Sequence, residues 1–177
     1  MISLLYIFRR ISDRLILSDC QTDYRAGLKR ACTTAGRTLL LATHGILNKE
    51  DPNLTYLVLG KGEKLDIGEI AGMDLNDVRM VTLSACETAL GEDPSSQGEL
   101  TTLADAFGFA GCPTVTASLW QVSDDSTKVL METYYKELKG GAAPAAAMQT
   151  AQKTLIANEE TRHPYHWAPF LLIGDWR

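Results

Sequence analysis

No stretch of this 177-residue chain offers the roughly 20 consecutive apolar residues that a membrane-spanning helix requires. Its apolar opening, residues 1–8, runs straight into Arg9 and Arg10. A secretory signal carries its charge ahead of the apolar segment, so neither a membrane span nor export is expected. Basic residues are in deficit, with 17 Lys and Arg against 22 Asp and Glu and a net charge of −5. That balance excludes a nucleic-acid partner, because a phosphate backbone is bound by surplus Lys and Arg. Cysteine is sparse, with four residues at 20, 32, 86 and 112, none in a C-x-x-C pair. A chain with 45% hydrophobic residues builds its own core and needs no disulfide framework. Reduced thiols and a cytoplasmic setting follow. Histidine is scarcer still, with three residues at 44, 163 and 166. His163 and His166 have Pro164 between them and no cysteine or acidic cluster nearby, whereas a metal site needs three or four ligands. No metal and no cofactor is expected. Internal repeats and low-complexity tracts are also missing.

What is present alternates in period. Tyr24, Leu28, Ala31, Cys32 and Ala35 fall at helical spacing and Gly36 stops them. Ile2 to Phe8 is a candidate strand, and Leu39 to Ala42 reads as a buried one. Leu54 to Leu59 and Leu65 to Ile67 flank Gly60-Lys61-Gly62, the pattern of an edge hairpin. A short helix is expected between Ile67 and Met73, then a buried strand from Val78 to Ser84. Residues 91–98 read as a loop from their composition. Leu100, Leu103, Ala104 and Phe107 mark a helix face closed by Gly111, and the β-branched run Thr114 to Leu119 follows as a strand. Ser123 with Asp124 and Asp125 starts a helix well, since the hydroxyl caps free N–H groups and the carboxylates favour the dipole. That helix carries Leu130, Met131, Tyr134, Tyr135 and Leu138 and ends at Gly140-Gly141. Pro144 opens another with Met148, Ala151 and Leu155, and Phe170 to Ile173 gives a last strand. Strands alternating with helices predict an α/β three-layer sandwich around a central, mostly parallel sheet.

Two of these strands end in chemistry. Leu39-Leu-Leu-Ala-Thr-His44-Gly45 delivers a histidine, and Met80-Val-Thr-Leu-Ser-Ala-Cys86-Glu87 delivers a cysteine. Ligands of open α/β sheets bind at the carboxyl ends of the strands, so the two residues can meet there as nucleophile and base. Taken alone, Cys86 reads more readily as a buried structural thiol than as a nucleophile, and the standing of His44 depends on it. Cys32 and Cys112 lie on apolar segments and are read as core. Trp167 and Trp176 are read as packing residues, and Trp120 as a packing residue that borders a cleft.

Beyond the pair, Ala42-Thr-His-Gly45, Leu83-Ser-Ala-Cys-Glu-Thr88 and Leu103-Ala-Asp-Ala-Phe-Gly-Phe-Ala-Gly111 resemble the CHAT domain. So do Ala117-Ser-Leu-Trp-Gln-Val-Ser-Asp-Asp125 and His163-Pro-Tyr-His-Trp-Ala-Pro-Phe170. The blocks stand in order and together cover about residues 37–176. The resemblance implies a caspase-like fold, related to caspases and separases. It divides the chain into residues 37–177, the caspase-fold domain, and residues 1–36, a divergent or truncated N-terminal part. It implies a cysteine endopeptidase with Cys86 as nucleophile and His44 as base, and with the N–H groups of Gly45 and Cys86 holding the oxyanion. Ser118, Leu119, Trp120, Gln121 and Val122 would bind substrate backbone along a strand edge, with Glu87 beside them. No arginine stands in that segment, so cleavage after Asp, as in caspases, is not implied. The expected partner is a polypeptide substrate or a regulatory protein, such as one of tetratricopeptide type. The alternative is a catalytically inactive CHAT-type interaction module.

Overall fold

In the strand Arg37–Ile46 the successive side chains of Leu39, Leu40 and Leu41 alternate between two apolar environments, as a strand buried on both faces requires. Leu39 and Leu41 enter one core and Leu40 the other. A computed structural model describes residues 15–17, 37–46, 48, 51, 54–59, 62–87, 97–120 and 122–177. The strand expected at Ile2 to Phe8, the helix expected over Tyr24 to Ala35, and Cys20 and Cys32 lie outside the described residues.

The described strands are β1 (Leu15–Leu17), β2 (Arg37–Ile46), β3 (Tyr56–Val58), β4 (Lys64–Asp66), β5 (Val78–Glu87), β6 (Thr114–Ser118) and β7 (Phe170–Gly174). The helices are α1 (Ile67–Ala71), α2 (Gln97–Phe109), α3 (Asp124–Lys139) and α4 (Pro144–Ala157). All seven strands join one sheet. Its centre, β1-β2-β5-β6, is parallel, while β3, β4 and β7 are attached antiparallel. The expected mostly parallel α/β sheet is the observed one.

One edge of β2 carries β5 along nearly its whole length. The other edge is shared end to end. β1 lies along Thr38 to Leu40, and β3 takes over at His44 to Ile46. The β3–β4 hairpin falls where the Gly60-Lys61-Gly62 punctuation predicts a turn, and β4 is the edge strand. Asp66 then caps α1, its side chain accepting from the Glu69 N–H at 2.8 Å while Glu69 reaches back to the Asp66 N–H. This reciprocal capping starts so short a helix at a defined residue.

Helices cover both faces. α1 and α2 bring Ile70, Leu103, Ala104 and Phe107 onto Leu39, Leu41, Val81, Leu83, Val115 and Ala117. α3 and α4 bring Leu130, Met131, Tyr134, Met148, Ala151 and Leu155 onto Leu40, Met80 and Phe170. Full burial of each large apolar side chain is worth about 1.5–3 kcal/mol, so these two layers dominate the stability. The α3 layer is also polar at its centre. Thr82 and Thr116 are register partners on β5 and β6, both fully buried. Tyr135 donates to Thr82 Oγ1 at 2.7 Å, and Tyr134 Oη lies 3.1 Å from Thr116 Oγ1.

The last strand runs antiparallel for a geometric reason. A single helix between two strands returns the chain to its starting end and gives a parallel pair. Two successive helices, α3 and α4, carry it back to the opposite end, so β7 descends alongside β6. Gly174 closes this strand at φ +94°. A Cβ there would meet the Pro113 carbonyl oxygen at 2.2 Å, so only glycine allows the close approach. Several local readings differ from expectation, with β2 longer than Leu39 to Ala42 and β3 shorter than Leu54 to Leu59. β5 extends past Ser84 to Glu87 because β2 pairs it that far. α2 begins at Gln97, inside the segment expected as a loop, of which residues 91–96 lie outside the described residues. Trp176, expected to pack, is largely exposed, and its carbonyl accepts from the Ala145 N–H.

Candidate functional site

The β2–β5 ladder fixes where the two reactive positions stand. Its register runs Leu41 to Leu83, Ala42 to Ser84, Thr43 to Ala85, His44 to Cys86 and Gly45 to Glu87. His44 and Cys86 are therefore direct partners at the carboxyl ends of adjacent parallel strands. Neighbouring strands lie about 4.8 Å apart, a separation short enough for side chains on partner positions to touch. His44 is simultaneously the partner of Val58 on β3, and Gly45 of Leu57. The Thr43 hydroxyl donates to the Val58 carbonyl, adding a side-chain tie between β2 and β3. The backbone at His44 and Gly45 is thus held from both sides, by β3 and by β5.

The segment named as a substrate edge begins on β6. Ser118 is the partner of Phe170 on β7, and the Leu119 N–H donates to the Pro169 carbonyl at 3.0 Å. The β7 side of this stretch is therefore already paired as far as Leu119. Val122 is buried in the α3–α4 core. Gln121 lies outside the described residues. Trp120 is the exposed member, with its ring 36% accessible and its indole N–H donating to the Tyr165 carbonyl at 3.0 Å. The β5–β6 register runs from Val81 with Val115 to Leu83 with Ala117.

Beyond Leu119 the chain meets residues that the sequence alone did not single out as part of a site. Ser123 caps α3 as expected, accepting from the Ser126 N–H. Ser126, 1% exposed, has its hydroxyl 2.5 Å from Ser123 Oγ and 3.2 Å from His166 Nδ1. His163 is the N-cap of a short 3-10 turn, Pro164–His166, its Nδ1 accepting from the Tyr165 N–H at 3.2 Å. Gln152 of α4 donates to the Trp167 carbonyl at 3.2 Å. Both imidazoles are occupied by these local bonds, and among the described residues no three His, Cys, Asp or Glu side chains converge. The available signal was the pair of prolines, Pro164 and Pro169, bracketing an aromatic run next to the last strand.

The cleft between α2 and the β6–β7 pair, about 440 Å³, is lined by Ala104, Gly108, Phe109, Cys112, Pro113 and Ile173. It sits at the amino end of β6, remote from the strand ends that carry His44 and Cys86. Cys112 is core, as expected, with burial pushing its thiol pKa up and the thiol donating to the Thr114 carbonyl.

The CHAT domain family matches residues 11–175, nearly the whole chain. This chain belongs to the CHAT family. The match begins ahead of β2 and takes in β1. The human protein Tetratricopeptide repeat protein 28 is 32% identical over 104 residues, 56% of this chain. The aligned part is 4% of that protein's length, so this CHAT chain corresponds to a small fraction of its relative. None of the described helices of the CHAT chain is long and apolar enough to cross a membrane.

Proposed function

We propose that this CHAT domain is a cysteine endopeptidase acting through His44 and Cys86. The observation that carries the reading is the register: a histidine and a cysteine are direct partners at the carboxyl ends of two central parallel strands. A nearby imidazolium lowers a thiol pKa well below its free value of about 8.5 and keeps the thiolate available. In this reading the Cys86 thiolate attacks the carbonyl carbon of a peptide bond, forming a C–S bond and a tetrahedral oxyanion. The N–H groups of Gly45 and Cys86 stabilise that charge. As the C–N bond breaks, the His44 imidazolium gives its proton to the leaving amine. His44 then takes a proton from water, whose oxygen attacks the thioester. The C–S bond then breaks, the carboxylic acid leaves, and the Cys86 thiolate is again paired with the His44 imidazolium. Ser118 to Val122 and Glu87 line the peptide, and Trp120 offers it an exposed surface. Residues 37–177 supply both reactive groups, with residues 1–36 contributing β1 to the sheet. The working setting is a reducing one, the cytoplasm.

An electrophilic peptide probe tests this directly. It labels Cys86 in the wild type, and Cys86→Ala abolishes both labelling and cleavage of a peptide library. Labelling that persists in Cys86→Ala, or that falls only on Cys20, overturns the reading.

A second reading is favoured by the human relative, a protein named for its tetratricopeptide repeats. Here the CHAT chain is a non-catalytic module that binds a regulatory protein of that type. It predicts a folded protein without turnover whose His44→Ala variant keeps its binding partners. Efficient peptide hydrolysis by the wild type excludes it.

A further inference from the structure

Both ends of the stretch between β6 and α3 are pinned by two adjacent residues of another segment. At one end the Trp120 indole N–H donates to the Tyr165 carbonyl at 3.0 Å. At the other, the Ser126 hydroxyl in the first turn of α3 lies 3.2 Å from His166 Nδ1. The Ser126 hydroxyl also lies 2.5 Å from Ser123 Oγ, so the helix cap and the imidazole share one hub. Tyr165 and His166 are themselves held. The Tyr165 N–H bonds His163, and the two rings meet edge to face at 5.5 Å. Downstream, Gln152 fixes the Trp167 carbonyl, and the Pro169 carbonyl accepts from the Leu119 N–H. The residues from His163 to Pro169 therefore form a strap across the segment that follows β6.

We propose that His166 is a positioning residue, which through Ser126 and the neighbouring Tyr165 carbonyl holds the Ser118–Val122 segment in the shape that receives a peptide. The proposal rests on the peptidase reading for the identity of the ligand, an extended polypeptide, but not for the existence of the strap. Its physical basis is pre-organisation. A segment tied at both ends loses less conformational entropy on binding, so its ties appear in affinity more than in the chemical step. Ser126 is buried and Trp120 is 36% exposed, so the strap joins a fixed anchor to a surface that a ligand can reach.

The experiment compares wild type, His166→Ala, His166→Asn and Trp120→Phe by hydrogen exchange with mass spectrometry, and by kinetics on the best fluorogenic peptide from a positional library. His166→Ala removes the imidazole bond, and Trp120→Phe opens the other link while keeping an aromatic ring. Each is expected to speed exchange across residues 119–123 about fivefold, the equivalent of one lost hydrogen bond. The exchange of α4 stays unchanged. KM rises by a similar factor with kcat within about twofold. His166→Asn, whose amide can replace Nδ1 towards Ser126, restores both values. Exchange across 119–123 that is unaltered in His166→Ala, or that accelerates equally in α4, overturns the proposal. So does failure of His166→Asn to restore it, or a loss confined to kcat. If the wild type cleaves no peptide, the dyad reading fails while the exchange comparison still decides the strap.

Discussion

Replacing Gly174 by alanine isolates one contact whose cost can be worked out from the backbone alone. Gly174 sits at φ +94°, where an L side chain is strained by about 1–3 kcal/mol. Its added Cβ would also lie 2.2 Å from the Pro113 carbonyl oxygen, a backbone atom that cannot rotate away. Relief requires β7 to move from β6, which loosens the bond from the Asp175 N–H to that same oxygen, now 2.8 Å, at about 1 kcal/mol. The sum is about 2–4 kcal/mol. Gly141 provides the control. Its φ is +92°, nearly the same, and a Cβ there meets nothing within 4 Å. Gly141→Ala therefore carries the conformational strain without the collision. Urea unfolding followed by far-ultraviolet circular dichroism should place Gly174→Ala at least about 1 kcal/mol below Gly141→Ala, with unchanged m-values. In a thermal scan that difference is about 2–4 °C or more. Equal midpoints for the two variants would refute the close approach of Gly174 to Pro113 as the reason for glycine there.

Burial holds the Tyr134 phenol up to about 12 and raises that of Tyr135 further, despite their hydrogen bonds with Thr116 and Thr82, which act the other way. With folded values above the unfolded value near 10, their stabilisation is complete below pH 10 and is lost as pH rises towards 12. Tyrosinate absorbance during an alkaline titration should accordingly show two of the six tyrosines ionising late and together with unfolding; early ionisation of all six would contradict it. Tyr135→Phe strips Thr82 of a 2.7 Å partner in a fully buried setting and should cost about 1–2 kcal/mol in urea unfolding. Deleting residues 1–36 removes β1 and bares the edge of β2 from Thr38 to Leu40, so residues 37–177 alone should unfold at lower urea than the full chain.

Most of the fold was legible because its signals are local. The apolar run Leu39 to Ala42, the cap at Ser123, and the stop at Gly140-Gly141 each fix an element from within a few residues. The direction of β7 was not legible in that way. It depends on α3 and α4 lying as a pair on one face, a tertiary fact that no residue of Phe170–Gly174 encodes. The length of β5 also escaped, since the strand is carried past Ser84 by its ladder with β2 and not by its own composition. For the candidate site, the strand ends marked His44 and Cys86 as a possible pair, and the register makes those positions neighbours. The strap was invisible. Ser126 and His166 are ordinary residues in the sequence, and their link spans two helices. His163 and His166 invited a metal question because spacing is visible in a sequence, whereas a hydrogen bond to a distant hydroxyl is not.

The antiparallel return of β7 also bears on the order in which the molecule can be built during synthesis. The buried residues of the first core, from β2 through β6 with α1 and α2, are all made before the last third of the chain has left the ribosome. The second core waits for Phe170, which comes from β7 itself. Until those final residues emerge, the outer edge of β6 stands open and the α3–α4 pair lacks part of its seat. A nascent chain stalled a few residues before Phe170 would therefore present an unpaired strand beside an incompletely covered apolar face, which is the substrate a chaperone recognises.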